Sequence, residues 1–398
     1  MTAKNLSSTT LQKEDGYMGA GTGTVYVVAL QEPLDTSSLV HDLYPDTTQR
    51  SNIWDAGGSP TTGLAKGELS LALDLSGLGT NAGGAVSDDD DGAIIAAAIG
   101  TSAGGTGTTV DDATPSTTLN TVASAAGLAA GKMVLIETTQ GHKAAMISAI
   151  DTLDVTVTPA LSVAPANGAD IFAGVTYTPS ETRTTWILEH HKDNVGLAYK
   201  CVGCGLTPEI TNIGAAEGKA RLNLKLSIGD WENIVSTLDV ADPPDTFINP
   251  GVVQSRGRFV LTDGSHTVTC IASTFTVAAL LTEIRRADAC QPNTVGEPEI
   301  MPSQDRMITT ELWQAAGATA DPIAQLRTWF DEDEMLQCLY QVGNLPGDCI
   351  AFYFPGVYLN SEPKEVEKNG LMAIKTELKV SVDRNSVVFD RPFYFARF

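Results

Sequence analysis

Two stretches of the chain, 152 residues apart, follow one plan. AYKCVGCGLTPEITNIGAAEGKARLNLKLSIGD begins at Ala198, and IAFYFPGVYLNSEPKEVEKNGLMAIKTELKVSV begins at Ile350. Each reads as a strand, a polar turn with proline nearby, a glycine, and a second strand with one apolar face. Gly218 falls on Gly370, and Leu222, Leu226 and Ile228 fall on Ile374, Leu378 and Val380. Side chains alternate between the two faces of a strand, so a shared phase of alternation means a shared buried face. Such self-similarity constrains the fold before any single element does: the chain is expected to contain one unit twice.

The rest of the sequence divides around that repeat. Residues 1–18 read as a flexible arm. The first unit takes residues 19–80 and 175–245, and the second takes 246–398. Between the halves of the first lies an insert, 81–174, of different texture. It opens with a short helix at about 88–99, whose four aspartates suit the positive end of the helix dipole. A Gly/Thr linker follows, then five short strands: TTLNTVAS, KMVLIET, KAAMISAI, DVTVTPA and ADIFAG. That spacing predicts a small closed barrel or sandwich. Without the insert, each unit has about 150 residues, an ordinary domain size. Thr, Ser, Gly and Val abound and heptads are absent, so the protein is expected to be mainly β.

Composition removes several function classes. The formal charge is −23 over 398 residues. Such a chain gains nothing from counterion release on DNA, which needs Lys and Arg against phosphate. The longest apolar run, AIIAAAI at 93–99, is far too short to cross a bilayer. The opening MTAKNLSSTTLQKEDG has no apolar signal core. The expectation is a soluble protein, made in the cytoplasm, with no membrane partner.

No motif builds a reaction centre. Cys201 and Cys204 form a C-x-x-C pair, but on a regular strand they face opposite sides, and no second pair supplies further zinc ligands. They read as ordinary buried thiols. GTSAG around Ser102 lacks the strand-before, helix-after context of a nucleophile elbow and reads as linker. SDDDDGAIIAAA places Asp89, Asp91, Gly92 and Ile94 as a calcium loop would. It begins with Ser87 and ends with Ala98, so the closing glutamate is missing. GAGTGT at 19–24 reads as a hinge, not a phosphate loop. DEDE at 331–334 reads as a charged turn or helix start. His41, His142, His190, His191 and His266 show no ligand spacing. No cofactor, metal or catalytic set is expected.

Taken together, these features resemble the tail tube (major tail) proteins of long-tailed bacteriophages. The segment GLTPEITNIGAAEGKARLNLKLSIGD looks like that family's strand, turn, glycine and strand. The insert resembles a module found between tube strands, and the long 32–65 loop lies where the family has an intersubunit loop. The resemblance covers most of the chain. It implies duplicated tail-tube-like β-sandwich domains, each with a flanking helix, plus a small β-barrel-like module. It further implies rings whose strands join into a continuous inner barrel. Family rings are sixfold, so a chain with two units is expected to close a ring as a trimer, or alternatively as a hexamer. Stacked rings would form a conduit for DNA ejection, with the tape-measure protein and DNA in the lumen and tail-tip and tail-terminator proteins at the ends.

Subunit contacts are expected from the N-terminal arm, from Tyr44, Ile53 and Trp54 in the long loop, and from Arg391, Phe393, Tyr394, Phe395 and Phe398 at the end. Aromatics and arginine favour interface centres. A final core strand, burying alternate residues, is the other reading of that end. An acidic lumen wall that repels phosphate is one use for the charge, and plain solubility is another. The module is expected on the outside, where it would hinder a contractile sheath. The competing readings are another virion part (decoration or terminator), a surface adhesin or glycan-binding β protein, and an enzyme using Ser102 or the acidic cluster.

Overall fold

In the computed structural model, the described residues are 8–16, 18–28, 34–44, 61–66, 68–75, 77–78, 85, 90–180, 185–192, 197–214, 221–235, 257–278, 281–285, 298–302, 306–314, 322–368, 370–383, 386 and 388–398. The protein is mainly β. The chain begins with β1 (Ser8–Glu14), β2 (Gly21–Val28), the hairpin β3 (Val40–Tyr44) and β4 (Thr61–Lys66), β5 (Glu68–Asp74) and helix α1 (Asp90–Ile99). The insert follows: β6 (Gly100–Ala103), β7 (Thr108–Thr109), β8 (Leu119–Thr121), β9 (Met133–Ile136), β10 (Lys143–Asp151), β11 (Asp154–Thr158), β12 (Asp170–Ala173) and β13 (Val175–Pro179). The first set then resumes with β14 (Trp186–Lys192), β15 (Leu197–Gly214), β16 (Arg221–Ser227) and β17 (Asp230–Val235).

The second set repeats the first in order. It has β18 (Gly257–Thr262), β19 (Thr267–Ala278), the hairpin β20 (Leu281–Arg285) and β21 (Pro298–Pro302), β22 (Met307–Gln314) and helix α2 (Pro322–Asp331). It ends with β23 (Leu336–Leu345), β24 (Asp348–Leu359), β25 (Lys364–Lys368), β26 (Leu371–Ser381) and β27 (Tyr394–Arg397). Pairings repeat as well. β1 lies between β2 and β14 as β18 lies between β19 and β23. β15 pairs with β14, β16 and β17 as β24 pairs with β23, β26 and β27. β16 reaches β5 as β26 reaches β22. Even the first turn of each set carries the same Asp-Gly, at Asp15–Gly16 and Asp263–Gly264.

The second set closes on itself. β18, β23, β24, β26, β22 and β19 pair in sequence and β19 returns to β18, all antiparallel. A closed ring of strands leaves no edge among its members. Its interior is aromatic: Phe275 stacks on Tyr340 at 4.0 Å and lies 6.1 to 6.4 Å from Phe352, Phe354 and Phe259. Replacing Phe275 by alanine removes the centre of this cluster. A loss of about 3–5 kcal/mol in stability is expected, to be read from urea unfolding.

Each half of the sequence contributes a 10-residue helix, α1 and α2. In α1, Ile94, Ile95, Ala98 and Ile99 are buried, a face at i, i+4, i+5 spacing. In α2 the buried positions are Pro322, Ile323, Leu326 and Trp329. Proline suits a first helical turn, where its missing N–H has no partner to lose. The Trp329 indole N–H donates to Asp263 Oδ2 at 2.8 Å, tying the helix to the first turn of its set. Burial alone would raise the Asp263 pKa, but hydrogen bonds from His266, Trp329 and Ser265 outweigh it and hold the carboxyl well below the usual range.

The inserted module is a second, smaller barrel. Its strands run β7-β12-β9-β10-β11-β8, and the bridge Val110↔Val122 joins the ends. Val122, Ile147, Val155 and Ile171 help fill it. Entry and exit strands β6 and β13 pair as a stalk. Although the insert interrupts the first set, it rests on the second: Met133, Leu135, Ala144 and Met146 share a cluster with Val260, Leu339, Tyr353, Tyr394 and Phe398.

Several expectations change here. Residues 1–18 are not simply an arm: β1 is paired on both sides, and Leu11 is fully buried. The Glu14 carboxylate at its end accepts hydrogen bonds from the Gly203 and Met18 amides and the Thr185 hydroxyl, which fixes the strand in place. GAGTGT is the turn into β2 and the start of that strand. GTSAG holds strand β6. The DEDE acids form the charged turn at the end of α2, with Asp331 its last residue, as the first of the two readings has it.

Candidate assembly surfaces

One row of paired residues crosses both sets. Leu73 of β5 pairs with Leu222 of β16, which pairs with Ile210 of β15. Ile210 pairs with Val277 of β19, Val277 with Ile308 of β22, Ile308 with Leu378 of β26, and Leu378 with Leu359 of β24. The row traverses one sheet, β5-β16-β15-β19-β22-β26-β24, and β25 carries its last lane onward beside β26. Residues paired directly across strands share a face, and Leu73, Leu222, Val277, Ile308, Leu378 and Leu359 of the row belong to one continuous core. The seam between the two sets is β15 against β19, through Ile210↔Val277, Ile213↔Phe275 and Gly214↔Thr274.

The opposite face of this sheet is polar. Among the described residues it carries Glu68, Glu209, Glu311 and Glu377 against Arg221, Lys225, Lys375 and Lys379. Opposite charges interleave: Lys225 lies 3.2 Å from Glu209, and Lys375 lies 3.8 Å from Glu377. Asp74, paired with Arg221, and Lys364, paired with Lys375, lie on the same face, so both signs are present and the net charge of −23 is not concentrated here.

The sheet has two open sides among the described residues. β5 has only β16 as a neighbour, and β25 has only β26. Unpaired strand edges are templates for another chain. The β25 sequence KEVEK is alternately charged, which discourages indiscriminate pairing. By the repeat, β25 holds the place in the second set that the last stretch of β15 holds in the first.

The residues singled out in the sequence fall in different places. Tyr44 ends β3, and Ile53 and Trp54 lie outside the described residues. At the chain's end, Phe393, Tyr394, Phe395 and Phe398 are each no more than 2% exposed. They are interior, not a contact patch, and this corrects the sequence reading. Burial of alternate residues fails too, because β27 is covered on both faces. Phe393 and Phe395 enter the main core, while Tyr394, Ala396 and Phe398 meet the module. β27 pairs with β24 on one side and stalk strand β13 on the other. Arg391 alone is near the surface, 3.5 Å from Asp390.

Arg397 is fully buried. Its Nη1 donates to the Tyr177 hydroxyl and its Nη2 to the Gly77 carbonyl, both at 3.4 Å. It therefore joins the first set, the stalk and the second set at one point. Sequence reading passes over it, since a lone Arg between aromatics gives no signal of burial.

Cys201 and Cys204 are both fully buried, on the same side. The β14–β15 register shifts between the pairs Trp186↔Cys204 and Leu188↔Cys201, and Gly203 takes φ 62°. One extra residue in β15 turns both thiols inward. Burial pushes the Cys201 pKa up to about 12, which is the opposite of what a metal ligand or nucleophile needs. Ser102 lies mid-strand in β6 opposite Tyr177. Asp91, Gly92 and Ile94 lie within α1, not in a loop. His190 is bonded to Thr9, His266 to Asp263, and His142 to Asn344. Among the described residues no group of three or more His, Cys, Asp or Glu is placed to hold a metal ion. The chain matches no family model and no curated protein.

Proposed function

We propose that this protein is a structural subunit that assembles with itself into stacked rings forming a phage tail tube, a conduit for DNA. One observation carries the reading: a single sheet runs through two equivalent sets, joined edge to edge by β15 and β19. That seam is a working example of the contact a ring needs. In the second set the outer edge of β25 stands where β15 meets β19 in the first. By the repeat, the counterpart of the β19 partner stretch is the sequence that follows β2, which lies outside the described residues. A second copy bringing that stretch to β25 repeats the seam, and each further copy does the same until the ring closes.

Two sets per chain make three chains the natural count for a pseudo-sixfold ring. With seven lanes each, three chains line it with roughly 21 strands, more than the 16 to 18 at which closed barrels leave an aqueous channel. The apolar side of the sheet faces its own core, so the balanced polar face lines the lumen. Interleaved charges give phosphate no continuous surface to grip and leave DNA mobile. The tape-measure protein shares that lumen, and tail-tip and tail-terminator proteins bind the ends. The chain acts without catalysis, is made in the host cytoplasm and resides in the virion.

Negative-stain electron microscopy of the concentrated protein tests this. Hollow tubes of uniform width are expected, alone or after adding the tail-tip complex and tape-measure protein. Monomers persisting under both conditions would reject the reading.

A further inference from the structure

Stacking requires two different, complementary surfaces at opposite ends of the subunit, because contacts that repeat without closing are heterologous. Strand β23 connects two such surfaces. It spans ten residues from Leu336 to Leu345, about 30 Å of extended chain.

At its far end is an apolar knob. Leu345 is 60% exposed, at the tip of the β23–β24 hairpin. Leu345 pairs with Asp348, leaving Pro346 and Gly347 as the turn. Gly347 has φ 85°, which fits a type II turn with Pro before Gly. Such a turn is stiff, so docking it costs little conformational entropy. The module braces its base. The His142 amide donates to Asn344 Oδ1 at 3.0 Å, and the Gln341 side chain bonds the Ala144 amide and the His142 and Gly343 carbonyls at 2.8–3.0 Å. Lys143 follows His142, whose amide holds Asn344, and Arg258 pairs with Gln341 and lies 3.5 Å from the Ala144 carbonyl. Burial and the neighbouring Arg258 both lower the Lys143 pKa, as for a cation short of counter-charge. Among the described residues neither makes an ion pair.

At the near end is a cleft of about 640 Å³, where β18 and β26 finish and β23 begins. Met335, Pro355 and Val382 line it, with Tyr358 36% exposed and Glu334 and Asp383 adding negative charge. The knob is thus an apolar tip on a turn, and the cleft is an apolar strip of Met335, Pro355 and Val382 set among polar and acidic groups, Thr262, Asp263, Glu334, Gln337, Ser381 and Asp383.

We infer that the Leu345–Pro346 turn of one copy seats in the Met335–Pro355–Tyr358 cleft of a second copy in the next ring, with Lys143 facing Glu334 across the joint. A shift along β23 by about its own length brings the two together, and the contact repeats indefinitely. The module then serves as a brace that holds the knob in position. This inference rests on the stacked-ring reading.

Leu345→Asp tests it, since an exposed turn residue can change without touching the core. The variant is expected to melt as wild type does and to form rings. Its critical concentration for tube growth should rise at least about tenfold, since a charged residue replaces an apolar anchor at a central contact. As a second measurement, Leu345→Cys and Tyr358→Cys chains are mixed and oxidised. The described native cysteines are all buried. Disulfide-linked dimers are expected in the mixture and not in either variant alone. Tubes from Leu345→Asp at wild-type concentration, or a mixture that fails to cross-link within tubes, would overturn the contact while leaving the ring reading intact. A wild-type protein that forms neither rings nor tubes would overturn both.

Discussion

Proline at one of two adjacent positions in β25, Glu365 or Val366, should abolish ring formation without unfolding the chain. Neighbouring amides in a strand point to opposite sides. One of the two therefore bonds β26, and the other faces the open edge. Proline has no N–H to offer and its ring obstructs a new strand. The outward-facing position is expected to keep the wild-type melting temperature and yet remain monomeric, a drop in self-association of about 100-fold or more from two lost ladder bonds and a steric block. The inward-facing position should instead loosen the β25–β26 hairpin and lower the melting temperature. Size-exclusion chromatography with light scattering, beside a thermal melt, separates the cases. If both variants assemble normally, the β25 edge is not the ring contact.

Arg397→Met should be the most damaging single change outside the aromatic core. The guanidinium is fully buried and donates to Tyr177 and Gly77. Methionine fills much of the same volume but leaves both acceptors without that donor. Losing two buried hydrogen bonds from a charged donor costs about 1.5–3 kcal/mol each, a large share of the roughly 5–15 kcal/mol that holds a typical domain. Because Arg397 joins both sets and the stalk, the variant should also break cooperativity. The module, with its own closed core, is expected to unfold separately. Urea unfolding followed by near-ultraviolet absorption and by module-specific hydrogen exchange checks this. A single transition within about 1 kcal/mol of wild type would show that the arginine is not the junction it resembles.

The repeat is legible in the sequence because it is written in alternation phase. Leu222 and Leu226 in one strand and Ile374 and Leu378 in the other are all buried, as a period of two requires. The inserted barrel is legible for the same reason, since its short strands alternate between turn residues. What escapes is whatever depends on a distant covering layer. Tyr394 and Phe395 are adjacent and both buried, because the module covers one side of β27 and the core the other. No local pattern announces that. Leu11 escapes in a similar way: β1 is polar in sequence and is held by strands that begin at Gly21 and Trp186. The facing of Cys201 and Cys204 is misread from spacing alone because a bulge at Gly203 resets the phase. α2 is also missed, although Asp321 and Pro322 mark a helix start in the sequence; a 10-residue helix leaves little room for periodicity to build up. The assembly surfaces are the least legible, since an edge is defined by what does not pair with it.

The central claim is that two sets in one chain do the work of two subunits. Native mass spectrometry of the smallest closed ring tests it most directly, supported by rotational averaging of end-on electron micrographs. Three chains per ring are expected, with six similar lobes around the lumen and threefold symmetry at finer detail. A ring of six chains would contradict the claim, since both sets could not then occupy equivalent places around one lumen.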